Sequence, residues 1–544
     1  MFVSDHISHI PYPIELDVGA SGSSVASHGH VSDHSRPAVP TPQGSTEATV
    51  DPILRRRKRP ARESRRPRRR RTDPATAAPR LRERPAMPSR RTVLTTALST
   101  AVAAALPARA AHAQSNAAYA MSYFKESPDM TDDSYALHLA VSTDGLNWTP
   151  LNQNDPVAVP TAGMEGLRDP FILRKQDGTF TVLATDLKGR VFNLNNQYIH
   201  VWDSEDLTSF TGYRRVHLHD MATHSWAPTA FWDASLGRYG VVYSAYNGTR
   251  DVLMVNYTTD FADMGSAQLF FDPGFNVLDG DVLPHGGDFY LAYKNMDDGD
   301  LYVARSTTGR PNSFTTLTGG LRRGGAIEAP ILVASNDGGA FWLWGDSFSP
   351  ANAVFYAWQS SNLGGDSWSA LNQRSYTAPI SSKHAGIVPI TAAERTAMID
   401  RWGAPRWNRL KSYNFPDRYV RHASDIGRID PFPMEPPADQ QWRLVSGLAD
   451  PSGVSFESVN RPGRYLRHVN YEMRLEANDG SALFAADATF LRTAGLADGS
   501  WASFRSHNFP DRCLRHSGYV LRVDPIDPGS SQADREDATF QVTY

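Results

Sequence analysis

Short apolar runs, separated by Asp-Gly and Gly-rich turns, set the rhythm of this chain from about residue 118 onward. Arg168-Asp169-Pro170-Phe171-Ile172-Leu173 opens one such run. Asp177-Gly178 follows, and then the β-branched and aromatic stretch Phe180–Thr185. Two apolar runs joined by a turn that tolerates positive φ predict a β-hairpin. The unit recurs with different letters. Trp226-Ala227-Pro228-Thr229-Ala230-Phe231 leads to Gly240–Tyr243, Leu278-Asp279-Gly280-Asp281-Val282-Leu283 leads to Phe289–Tyr293, and Ile327-Glu328-Ala329-Pro330-Ile331-Leu332 leads to Phe341–Trp344. Lys383-His384-Ala385-Gly386-Ile387-Val388-Pro389-Ile390 is an inner run with no partner after it, whereas residues 119–124 and 137–141 are partners with no inner run before them. A spacing of roughly 50 residues is that of a propeller blade. Joining the two incomplete ends makes a fifth blade and removes the exposed sheet edges. The pattern predicts a five-bladed β-propeller over about 116–400.

A second repeat follows the short, stiff connection Arg401-Trp402-Gly403-Ala404-Pro405-Arg406-Trp407-Asn408. Residues 412–422, 458–468 and 506–516 align as Ser412…Arg418-Tyr419-Val420-Arg421-His422, Ser458…Arg464-Tyr465-Leu466-Arg467-His468 and Ser506…Arg512-Cys513-Leu514-Arg515-His516. Each copy ends on an Asp with an aromatic residue three places later: Asp439/Trp442, Asp487/Phe490 and Asp537/Phe540. Three copies built of short strands and turns predict a β-trefoil over 408–544, so the fold class is all-β throughout. Cys513 takes the place of Tyr419 and Tyr465 and reads as a packed thiol.

Composition changes this picture mainly at the N-terminus. Residues 1–113 carry 19 Lys/Arg against 9 Asp/Glu, leaving 36 against 49 for the rest of the chain. An acidic body argues against nucleic acid as a partner. Residues 1–86 are His/Ser/Pro-rich and then Arg-rich, with no apolar periodicity, and read as a disordered leader or a misplaced start. Over 87–113, Ser89-Arg90-Arg91-Thr92-Val93-Leu94, an Ala-rich run and Ala111-His112-Ala113 form a twin-arginine signal pattern. Gln114 is then the first mature residue, and the protein is expected to be secreted. The Ala-rich run is too short and too weakly apolar for a membrane anchor. A single cysteine excludes any intramolecular disulfide, and the expected state is a monomer.

In a propeller the starts of all inner strands meet at one funnel mouth. Asp169, Asp279 and Glu328 come from three blades and should surround one pocket. Carboxyls crowded in a partly desolvated pocket cannot all ionise independently, which leaves an acid and a base at the same pH. That pair suits hydrolysis of a glycosidic bond.

The five strand starts, taken in order, resemble glycoside hydrolase family 43, a family of inverting enzymes on five-bladed propellers. The resemblance implies Asp169 as the general base, Glu328 as the general acid and Asp279 as the residue that raises the acid's pKa, with Asp281 as the rival for that last role. It also implies that His384 stands on the propeller axis, by a bound ion, by water or simply packed. Trp226, with His224, would wall the sugar subsite. No cofactor is required, and a structural calcium ion on the axis is the one metal in view.

The second repeat resembles the arabinose-binding family 42 carbohydrate-binding module, the α-L-arabinofuranosidase B domain. There His422/Asp439, His468/Asp487 and His516/Asp537 would each hold an arabinofuranosyl side chain. The first copy departs most, with Asp439-Gln440-Gln441-Trp442 in place of Asp-Ala-Thr-Phe. Together the two resemblances imply a secreted α-L-arabinofuranosidase acting on plant cell-wall arabinan or arabinoxylan. A β-xylosidase, an endo-arabinanase, an exo-galactanase and a non-catalytic sugar-binding propeller remain open.

Overall fold

The computed structural model describes residues 115–126, 132–190, 192–350 and 352–544. The leader, the signal pattern and the start at Gln114 lie outside the described residues. Five four-stranded antiparallel sheets follow one another along the chain. Their inner strands are Leu167–Arg174 (blade 1), Trp226–Asp233 (blade 2), Val277–His285 (blade 3), Gly325–Ala334 (blade 4) and Ser382–Ile390 (blade 5). Each inner strand contacts the next, and blade 5 contacts blade 1, so the ring is closed. Closure is made as the pattern predicts. Ala118–Lys125 pairs with Ser382–Ile390 through Ala118↔Ile390, Ala120↔Val388 and Met121↔Ile387, and so completes the fifth blade from both ends of the domain. Apolar faces pack between neighbouring blades: Val242 and Leu253 of blade 2, for example, meet Val282 and Leu291 of blade 3.

All five inner strands break register at one level. Pairing skips two residues after Arg168, Trp226, Leu278, Glu328 and Lys383. The first skipped residue is left-handed in every blade: Asp169 (φ +53°), Ala227 (+51°), Asp279 (+57°), Ala329 (+56°) and His384 (+37°). The second is Pro170, Pro228, Gly280, Pro330 or Ala385, positions where a missing N–H costs no ladder bond. Such bulges bend a strand and re-aim its side chains, and here they form a ring around the axis. Glu328 therefore does not occupy the level of Asp169 and Asp279. It stands one residue earlier, level with Arg168, Trp226 and Lys383.

The segment after the last inner strand departs from the all-strand reading. Ala392–Trp402 is a helix that begins with a capping box, in which the Thr391 hydroxyl accepts from Glu394 N and the Glu394 carboxylate accepts from Thr391 N. Glu394 also takes a two-pronged bond from Arg174 of blade 1 (2.8 and 2.7 Å), which pins the helix to the ring. The connection after it is held by Gln153, whose amide donates to Ala404 O (2.9 Å) and accepts from Arg406 N (2.8 Å).

Beyond it lies one twelve-stranded, barrel-like sheet. Hairpins Arg418–Ala423/Ile426–Pro431, Arg464–Val469/Glu472–Ala477 and Arg512–Ser517/Val520–Pro525 touch one another through Ile426↔Arg474, Glu472↔Arg522 and Arg428↔Val520. The core holds Leu410, Trp442, Phe456, Phe490, Phe504 and Phe540. Asp487 and Asp537 end one-turn helices capped by Ser481 and Ser531, where strands and turns alone were expected. Asp439 lies in a 3-10 turn. Cys513 is buried as a packed thiol, and burial raises its pKa.

Candidate active site

The ring of bulges brings the predicted carboxyls to one rim. Asp169 Oδ1 is 2.9 Å from His384 Nδ1, and Asp169 Oδ2 accepts from the Thr185 hydroxyl at 2.7 Å. Burial would raise this carboxyl, but His384, Arg168 and Thr185 outweigh it and hold the pKa below the ordinary value. His384 moves the other way. Burial would lower it, yet Asp169 beside it, with Asp279 and Asp346 near, raises it to about 9.

This pair carries a pH signature. A folded-state pKa of about 9, against an ordinary 6.5, means stability is fully present below about pH 6.5 and is lost as pH rises through about 9. His384→Gln should therefore lose most Tm relative to the parent at pH 6 and least at pH 10, in parallel thermal melts.

Asp279 stands at the equivalent bulge of blade 3. Its N–H donates to Ser244 Oγ (3.0 Å), and its Oδ2 accepts from Ala329 N at 3.1 Å. Burial, Glu328 and Asp169 push its pKa up against the pull of His384 and Lys294. Asp281, the rival, lies below the rim where the strand is paired again. It is buried, its Oδ2 accepts from Leu332 N (2.7 Å), and burial lifts it to about 7. It lines a narrow axial cavity with Thr229, Pro330 and His384. The rim position belongs to Asp279.

Glu328 is gripped by two lysines. Its Oε1 accepts from Lys383 Nζ at 2.5 Å and its Oε2 from Lys294 Nζ at 3.1 Å. Burial opposes ionisation, but the two ammonium groups win and drive the pKa well below the ordinary carboxylate range. Lys383 is itself shared with Asp346, whose Oδ1 accepts from Nζ at 2.8 Å. Sequence reasoning quoted Lys383 without a role and passed over Lys294, Asp346 and Thr185. The missing signal is register: Thr185, Ser244, Lys294 and Asp346 are the cross-strand partners of Arg168, Trp226, Leu278 and Glu328.

Trp226 is half-buried at the rim, tilted against Phe192 (ring centroids 5.5 Å apart). His224 is buried and stacks on Trp226 at 4.0 Å, with Nε2 3.5 Å from Asp251 Oδ1, so it backs the indole and does not itself wall the subsite. His384 has committed Nδ1 to Asp169, and among the described residues no three His, Cys, Asp or Glu side chains group as a metal requires.

In the second domain all three predicted pairs come together, each closed by an Asn from another repeat. Asn460 accepts from His422 (3.0 Å) and donates to Asp439 (2.8 Å), Asn508 does the same for His468 (2.9 Å) and Asp487 (2.7 Å), and Asn414 for His516 (2.9 Å) and Asp537 (2.6 Å). Arg421, Arg467 and Arg515 approach the second Asp oxygens. The first copy keeps this geometry despite its different sequence. It differs in its wall. Phe509 packs edge-on against His468 and Tyr471 against Phe509, and Phe415 packs against His516 and Tyr519 against Phe415. The matching places beside His422 hold the ion pair Arg461–Asp425 (2.5 Å).

The fold and site are those of a closed five-bladed propeller with buried carboxyls gathered at one rim. Residues 114–396 match the family profile described as "Probable glycosyl hydrolase domain", related to family 43. That match covers more than half of the chain, and the chain belongs to this family. Residues 408–542 match the "Alpha-L-arabinofuranosidase B (ABFB) domain".

Among curated proteins, the chain is 47% identical over 86 residues to "Probable alpha-L-arabinofuranosidase B" of Aspergillus niger, a span of 15% of this chain and 17% of that protein. It is 28% identical over 216 residues to an "Alpha-L-arabinofuranosidase" of Bifidobacterium longum subsp. longum, covering 34% of this chain and 19% of that one. The aligned spans are thus under one fifth of those relatives' lengths. An exo-beta-1,3-galactanase structure from Clostridium thermocellum aligns with TM-score 0.34 and 13% identity, over 69% of this chain and 95% of that one.

Proposed function

We propose that this chain is a secreted, inverting glycoside hydrolase, an α-L-arabinofuranosidase that releases arabinose from arabinan or arabinoxylan. The observation that carries the acid/base reading is the contrast on the rim: Asp169 is held ionised by His384, while Asp279, at the equivalent bulge, is pushed toward holding a proton. Asp169 activates the water, and Glu328 protonates the leaving oxygen. Asp279, raised by burial and by the neighbouring Glu328, keeps a proton in the site. The sugar named rests on the family of the second domain, since a binding domain reports where an enzyme is anchored rather than which bond it cuts.

A second assignment of the proton donor is favoured by one observation. The lysines hold Glu328 ionised while Asp279 is raised, so Asp279 could deliver the proton itself. Aryl α-L-arabinofuranoside, β-D-xyloside and β-D-galactoside, assayed side by side with NMR of the first-formed anomer, test the function. An arabinofuranoside preference with inversion is expected. Turnover of none of them would leave a sugar-binding propeller, and a retained anomer would remove the mechanism.

The second domain is proposed to be a family 42 module on a β-trefoil, with three hairpins beside a ring of six strands that the Asn408↔Trp442 bridge closes. Weak pockets on one rigid domain hold a branched polymer by effective concentration. Asp487→Ala and Asp537→Ala should each weaken retention on arabinoxylan, and together by more than either alone. Turnover of small arabinosides should stay within about twofold, because they engage only the propeller. Asp439→Ala should matter least, because its pocket has an ion pair where the others have aromatic walls. Affinity electrophoresis in arabinoxylan gels reads this out, and unchanged migration of the double variant would refute it.

A further inference from the structure

In blades 2 to 5 a side chain accepts from the N–H of the left-handed residue at the bulge. In blade 2 the Thr185 hydroxyl accepts from Ala227 N (2.8 Å), and in blade 3 the Ser244 hydroxyl accepts from Asp279 N (3.0 Å). In blade 5 a carboxylate does the same work: Asp346 Oδ2 accepts from His384 N at 2.6 Å. In blade 4 Asp279 Oδ2 likewise accepts from Ala329 N (3.1 Å), so hydroxyls and carboxylates both serve the backbone here, and what sets the fully buried Asp346 apart is what its other oxygen holds. Its second oxygen takes Lys383 Nζ at 2.8 Å, and the same Nζ is 2.5 Å from Glu328. Asp346 thus touches both arms of the site, the ammonium on Glu328 and the peptide that carries His384 to Asp169.

We propose that Asp346 is a positioning residue: it divides the charge of Lys383 between itself and Glu328, and so keeps the proton affinity of Glu328 above what the two lysines alone would set. The inference rests on the hydrolase reading with Glu328 as the acid. Other charges face this group as well. Lys294 and Asp279 come from blade 3 and His384 from blade 5, Asp169 of blade 1 acts on Asp279 and His384, and Glu126 acts on Lys383. With Asp346 neutral, Lys383 acts undivided on Glu328 and one repulsive charge is gone. Both changes favour the carboxylate.

The test uses Asp346→Ser, which supplies the hydroxyl found in blades 2 and 3, Asp346→Asn, which keeps size and acceptor, and Lys383→Met. The titration of Glu328 is followed by ¹³C-carboxyl NMR of Glu-labelled protein, with Glu328→Gln for assignment, beside the kcat/KM pH profile and Tm. Both Asp346 variants should lower the Glu328 titration, and with it the alkaline limb, by about one to three pH units. Lys383→Met should raise both. Opposite shifts from the two sites are not produced by a merely structural role. An unmoved Glu328 titration in folded Asp346 variants, or shifts of one sign at both sites, overturns the inference. If the parent cleaves no glycoside, the hydrolase reading fails, while the NMR titrations still decide the role of Asp346.

Discussion

Glu328→Gln is expected to lower hydrolysis of poor leaving groups by roughly 10²–10⁴-fold, the range that a positioned general acid contributes. The amide keeps the size of the side chain, but its one oxygen replaces the two that accept from Lys383 and Lys294 and its NH₂ faces the other ammonium, so Tm is measured beside the rates. What disappears is the proton. Activated aryl glycosides leave with little protonation and should be spared, which steepens the dependence of rate on leaving-group pKa. Asp279→Asn, measured on the same substrates, separates the two assignments of the donor. If Asp279 only lifts the acid, its loss should move the alkaline limb to lower pH on every substrate. If Asp279 gives the proton, its variant shows the leaving-group dependence instead and Glu328→Gln loses all substrates alike. The lysines make this comparison necessary, since Glu328 bears two ammonium groups while Asp279 faces Glu328 and Asp169.

Asp169→Asn should bring turnover of every substrate to background, a loss of several orders of magnitude with no leaving-group dependence, because no other carboxylate at that bulge can activate water. The asparagine would also leave His384 without its anion. The imidazole's pKa should fall back from about 9 toward its ordinary value, visible as a histidine resonance titrating at lower pH. Added azide should yield no product of retained configuration, since the inverting route forms no glycosyl-enzyme. Residual hydrolysis of activated aryl glycosides at more than a few per cent of the parent rate would take the base role from Asp169.

The ring was legible because its residues obey a local rule. An apolar strand, a turn and a second strand repeat at one spacing, and the half-units at Tyr119 and His384 have nowhere to pair except with each other. The helix from Ala392 to Trp402 was legible in principle, since Thr391 and Glu394 stand at capping-box spacing. Its weak amphipathicity hides it beside the strong strand pattern before it. The His–Asp pairs of the second domain were visible as repeats. Their Asn partners were not, because Asn414 closes the pocket of the last repeat about a hundred residues away in sequence.

By itself the sequence determined the five-blade count, the closure of the ring by its two ends, the rim carboxyls Asp169, Asp279 and Glu328, and the threefold repeat behind them. All of these follow from short-range alternation and turn chemistry. Only the tertiary structure decided the state of those carboxyls. Glu328 stands on the paired residue before its bulge while Asp169 and Asp279 stand on theirs, and cross-strand register delivers Lys294, Lys383 and Asp346 from three different strands. A carboxyl's proton affinity depends on charges within a few ångströms and on the water excluded around it. Neither is a property of neighbours along the chain. The same strand starts with other residues across the register would hold the same carboxyls in other charge states.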